Sequence, residues 1–67
     1  MNANALKGRI MEKGLTQEKL AEKIGISQNT MSSRICGHSS FRVDEVKKIC
    51  RILGIDSSEE KAKIFLS

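Results

Sequence analysis

Apolar residues recur along this chain at spacings of three and four, the spacing that lines up one face of an α-helix. Leu6 and Ile10 share such a face over about Asn4 to Lys13, with Met11 widening it. Gly14 ends this first helix in the left-handed position. Thr16 follows as an N-cap, with Glu18 in the first turn favouring the helix dipole. A second helix then runs from Gln17 to Ile24 and buries Leu20, Ala21 and Ile24. Gly25 turns the chain where a left-handed backbone costs least. Ile26 is an apolar turn residue, and Ser27 caps a third helix from Gln28 to about Cys36 with Met31 and Ile35 inward. The segment Gly37 to Arg42 reads as a loop. A fourth helix from about Val43 to Leu53 turns Val46, Ile49, Cys50 and Leu53 inward, with Asp44 and Glu45 at its dipole-favoured start. Gly54 stops it. Asp56, with Glu59 three residues on, opens a fifth helix whose face is Ala62, Phe65 and Leu66.

The pattern therefore predicts an all-α chain of five short helices with tight connections, forming one domain over residues 1–67. A domain of this size buries only about 60% of the surface that its unfolded chain exposes, so its stability is modest. Two Phe, no Trp and no Tyr leave the core aliphatic. No apolar run is long enough for a membrane span or a secretory leader. Two cysteines are too few for a secreted disulfide scaffold, which points to a reducing cytosol. Cys36, His38 and Cys50 lack the paired spacing of a zinc site, so no metal and no cofactor is expected.

Charge changes the picture through its distribution rather than its total. Twelve basic residues stand against eight acidic ones, for a net +4. Between Lys23 and Val43 there is no Asp or Glu, while Lys23, Arg34, His38 and Arg42 fall there. A positive or neutral region of this kind suits a surface that meets phosphates. The outward face of the third helix is amide and hydroxyl. Gln and Asn offer a donor and an acceptor together, matching adenine's major-groove edge. A single His with no nucleophile or carboxylate partner, no phosphate-cradling Gly loop and too little chain for a cleft speak against an enzyme and a small-molecule substrate. Recognition of single strands by stacking needs aromatic platforms, and Phe41 and Phe65 are the only rings.

The run Leu15-Thr16-Gln17-Glu18-Lys19-Leu20-Ala21-Glu22-Lys23-Ile24-Gly25-Ile26-Ser27-Gln28-Asn29-Thr30-Met31-Ser32 resembles the lambda-repressor/Cro (XRE) helix-turn-helix family, and the likeness covers about residues 5 to 55. The resemblance implies a compact five-helix DNA-binding domain with its helix-turn-helix at about residues 17–36. It implies a transcriptional regulator of repressor/Cro type, of phage or prophage origin, in the bacterial cytoplasm. Helix 3 would enter the major groove of a double-stranded DNA operator, with two protomers on two half-sites. Residue by residue, it assigns base reading to Gln28, Asn29, Ser32 and Ser33. It assigns phosphate contact to Gln17, Ser27, His38, Ser39, Ser40 and Arg42. Many members bury an Arg–Glu pair between helices 1 and 3. Those positions here are Ile10 and Ile35, an apolar swap that packing can support. Arg34 replaces a usual apolar residue, and is expected to bury its stem and lift its guanidinium toward a phosphate. The alternative use of this fold is an antitoxin or protein-binding adaptor, which would favour exposed apolar anchors on helix 3.

One surface is left for self-association. Ile55, Ile64, Phe65 and Leu66 cannot all point into so small a core, so one or two are expected outside, where they would form a weak homodimer contact strengthened on DNA.

Overall fold

The computed structural model describes residues 1–66. It contains α1 (Ala3–Glu12), α2 (Gln17–Ile24), α3 (Gln28–Ile35), α4 (Val43–Leu53) and α5 (Ser58–Phe65), and no strand among the described residues. Four of the five helices start where a short polar side chain can hold the first turn. The side chains of Asn2, Thr16, Ser27 and Ser57 accept from the backbone N–H groups of Ala5, Lys19, Thr30 and Glu60. The last of these corrects the expected start of α5. Asp56 and Ser57 are both competent caps with a Glu three residues on, and Ser57 is the one used. Likewise α1 begins at Ala3 under an Asn2 cap, one residue earlier than expected.

The core is aliphatic and draws on all five helices. Leu6, Leu20, Met31, Ile49, Leu53 and Ile55 are fully enclosed, and Ile10, Ala21, Ile24, Ile35, Cys50 and Ile64 complete it. Ile10 and Ile35 thus lie inside the same cluster, as an apolar replacement of an ion pair requires. Two expectations about apolar faces fail. Met11 is 77% exposed, because one turn of α1 cannot present both Ile10 and Met11 to the same core. On α5, Ile64 is the buried residue, Phe65 and Ala62 are half-buried, and Leu66 is 83% exposed. Val46 is half-buried on α4.

Polar contacts tie α1 to α5 and to the end of α4. The Asn2 N–H donates to the Ile64 carbonyl at 2.7 Å. Arg9 pairs with Glu60 at 2.7 Å and donates to the Leu53 carbonyl at 3.3 Å, tying α1 to α4 and α5. Among the described residues, no helix is long and apolar enough to cross a membrane.

Candidate nucleic-acid interface

The α2–α3 pair is built from short-range instructions. Gly25 takes φ +84°, a left-handed conformation that a side chain would strain, and lets the chain reverse in three residues. The Ile26 N–H then donates back to the Ala21 carbonyl at 3.0 Å. This closes α2 with the bond between the sixth and first residues that terminates helices at a left-handed glycine. Ile26 is half-buried against the core, and Ser27 starts α3 at once. The Ser27 hydroxyl is spent on this cap: it accepts from the Thr30 N–H at 3.1 Å and lies 2.8 Å from the Thr30 hydroxyl.

Met31 and Ile35 fix which side of α3 faces inward. Asn29 points away from that side, Gln28 is exposed as the first residue of the helix, and Ser32 and Ser33 are half-buried one turn later. At 1.5 Å rise per residue these eight residues make a rod about 12 Å long, comparable with the width of the DNA major groove. Gln17 opens α2 and is half-buried. The first N–H groups of a helix have no carbonyl within it, so the starts of α2 and α3 offer free donors and the positive end of a dipole.

The loop after α3 carries His38, Ser39, Ser40 and Arg42, all exposed. It is not held by local bonds alone. Phe41 packs edge-on against Phe65 of α5, with ring centroids 6.2 Å apart and planes at 89°. The Arg42 N–H donates to Glu45 Oε1 at 2.9 Å, half of a capping box, since an Arg side chain has no oxygen to return the bond.

Arg34 has a partner in α4. Its Nε donates to Glu45 Oε1 at 2.7 Å and its Nη2 to Glu45 Oε2 at 3.1 Å, a two-pronged pairing. The guanidinium is therefore turned to α4, where a nearly buried carboxylate stands within reach of it. Glu45 is 5% exposed, and its carboxyl is held below the usual glutamate range. The Arg34 hydrogen bond is the largest cause; burial opposes it, and the Arg42 N–H adds to it. Arg34 is correspondingly pushed up by Glu45. The acid-free window of the sequence is thus entered in space by a carboxylate from outside it. In the sequence, Glu45 shows only as a dipole-favoured residue at the start of α4. Its sole further sequence signal is the three-residue spacing from Arg42, which an Arg in the cap position disguises.

The helix-turn-helix family profile matches residues 6–59, spanning the whole of α1 to α4 apart from the first residues of α1. The chain belongs to the XRE, lambda-repressor-like helix-turn-helix family. No curated protein and no solved structure matches it. As a helix-turn-helix regulator it is a DNA-binding protein. The matched segment includes both helices of the motif, the loop after α3 and Glu45.

Proposed function

We propose that residues 1–67 act as one unit that reads duplex DNA by sequence, as a non-enzymatic transcriptional regulator of repressor/Cro type in a bacterial host, of phage or prophage origin. The observation that carries this reading is the outward face of α3. Its exposed first turn presents the amides of Gln28 and Asn29, with the hydroxyls of Ser32 and Ser33 behind them. Inserted into the major groove, Gln28 and Asn29 meet base edges and Ser32 and Ser33 meet the groove further along. Gln17, at the free start of α2, and the backbone at Ser27 lie against phosphates on one side. His38, Ser39, Ser40 and Arg42 grip the backbone on the other. Arg34 is assigned a supporting part, since Glu45 occupies its guanidinium.

Two protomers read the two halves of a palindrome. With Ile55 and Ile64 taken into the core, the surface for this pairing centres on Leu66 and Val43, which are 83% and 74% exposed. Both line an open groove that Phe41 and Phe65 also border. So small a patch supports a weak contact that forms on DNA.

Selection from random duplexes, followed by titration at stated salt, tests the reading. A selected site should bind on the order of a thousandfold tighter than random DNA, with affinity falling steeply as salt rises. Equal affinity for both overturns it. Sedimentation with a palindromic duplex should give two protomers per duplex, and one at saturation rules out the pairing.

A further inference from the structure

Among the described residues, Glu45 is the one buried charged side chain, and it stands at the foot of the recognition helix. Two separate pieces of chain converge on it, and a third contact extends the link. Arg34, in the last turn of α3, is held through two hydrogen bonds. The Arg42 N–H, at the end of the loop, is held through a third. Arg34 Nη1 also reaches the Ser39 hydroxyl at 3.5 Å, and that hydroxyl lies 3.4 Å from the hydroxyl of Ser33. One carboxylate thereby links Ser33 and Arg34 on α3 to the middle and the end of the loop.

Stability alone does not call for this arrangement. A buried ion pair gains little over packed apolar side chains of the same volume, because desolvation offsets the attraction. A two-pronged pair does fix geometry, since the planar guanidinium and the carboxylate accept only one mutual orientation. The elements so fixed are the two that the proposed function puts on bases and on phosphates. Phosphate contacts carry no sequence information, but they set the register in which a recognition helix meets the bases.

We propose that Glu45 is a positioning residue for DNA recognition. It holds the loop His38–Arg42 at a set angle to the outward face of α3, so that base contacts and phosphate contacts fall in register together. It also cancels the charge of Arg34, so that the foot of α3 adds no sequence-blind attraction. This inference rests on the proposed DNA-reading function.

Two variants test it beside the unaltered protein. Glu45→Gln removes the charge and frees Arg34. Arg34→Met combined with Glu45→Met replaces the pair by apolar packing and keeps a folded protein available if the single variant melts. Affinity is measured for a selected palindromic duplex and for a random duplex across a salt series, with the fold verified by circular dichroism. Both variants should lose at least about tenfold in the ratio of selected to random affinity. Glu45→Gln alone should bind random DNA with a salt slope steeper by about one unit, because the released Arg34 takes a phosphate. In the free protein, the Arg42 amide should exchange faster in both variants. A general loss of stability would lower both affinities alike and leave the ratio unmoved. A ratio within twofold of the unaltered protein in the folded variants overturns the positioning role while leaving the DNA reading intact. An unaltered protein that prefers no duplex overturns both.

Discussion

The two connections that flank α3 begin alike and are held in opposite ways. Each opens on a left-handed glycine, Gly25 at φ +84° and Gly37 at φ +88°. Each then donates a backbone N–H back across the helix end, Ile26 to Ala21 at 3.0 Å and His38 to Ser33 at 2.9 Å. The first connection finishes at once, with Ile26 half-buried and Ser27 capping the next helix. The second runs on through exposed residues, with Ser39 near Ser33 and Arg34 of α3, and is pinned at its end where Glu45 and Phe65, from other helices, reach it. A turn that closes within its own neighbours is fixed wherever its core exists. A loop closed by distant side chains is only as ordered as those partners, and one of them must stay ionised.

The largest effect that can break this contrast lies under the first turn. Leu20→Ala empties a fully enclosed site beside the α2–α3 crossing, at a cost of about 2–5 kcal/mol. For so small a domain this is most of its stability, and urea melting should show it. A barely shifted midpoint would mean that the α2–α3 crossing is not the centre of the core.

Next come the two faces that the connections present. Gln28→Ala should cost about 1–3 kcal/mol on a selected site and blur preference at one base pair. Arg42→Ala should weaken binding to all sequences alike and flatten the salt slope by about one unit. Quantitative titration on matched and mismatched duplexes separates them. If both variants lose affinity uniformly, the division of labour between the two sides of α3 is wrong.

Smaller still is the shared opening. A Cβ at Gly25 or at Gly37 meets nothing within 4 Å. Substitution by Ala at either should therefore cost only the backbone strain of a left-handed residue, about 1–2 kcal/mol. Near-equal values in thermal melts would show that the two turns differ in the residues after the glycine and not in the glycine itself.

Acid should separate the connections without mutation. Glu45 has its folded pKa lowered, chiefly by Arg34. Its contribution is therefore complete above the unfolded value of about 4.3, and is lost as the pH falls through the lower folded value. Amide chemical shifts of Arg42 should move in that acid range while those of Ile26 stay in place. Movement of both together would mean that the two connections are one cooperative unit.

The gentlest probe is a thiol reagent. Cys36 is exposed where the second connection begins, whereas Cys50 is buried and its thiol pushed up by burial. One equivalent should react quickly in the folded protein and the second only as the chain opens. Fast reaction of both would place Cys50 outside the core.

The same contrast explains how much can be read from the letters alone. The bounds of α2 and α4 are legible, because Gly25 and Gly54 stop them, although on α4 the buried Glu45 and the half-buried Val46 depart from the expected face. The exposure of Asn29 follows from Met31 and Ile35, which turn it away from the core, whereas Gln28 lies on their side of α3 and is exposed as the residue that opens the helix. The start of α5 is not legible, since Asp56 and Ser57 carry equal local credentials, and the cap used is Ser57. The partner of Arg34 is missed for a deeper reason. It lies eleven residues on, in another helix, and neither helical periodicity nor capping chemistry relates the two. Features that depend on neighbours in sequence can be read, and features that depend on neighbours in space cannot.

The bond from the Asn2 N–H to the Ile64 carbonyl brings the start of α1 and the end of α5 together, so the five helices form very nearly a ring. A short flexible linker across that gap would close it without redirecting α1 or α5. The entropy removed from the unfolded chain depends only on the logarithm of the loop length, so the linker's own length would matter little. A ring can be reopened elsewhere. The Gly54–Ser57 connection lies between α4 and α5, outside the helix-turn-helix. A chain cut there would start at α5 and run through α1 to α4, with the recognition helix and its carboxylate brace still in one unbroken stretch.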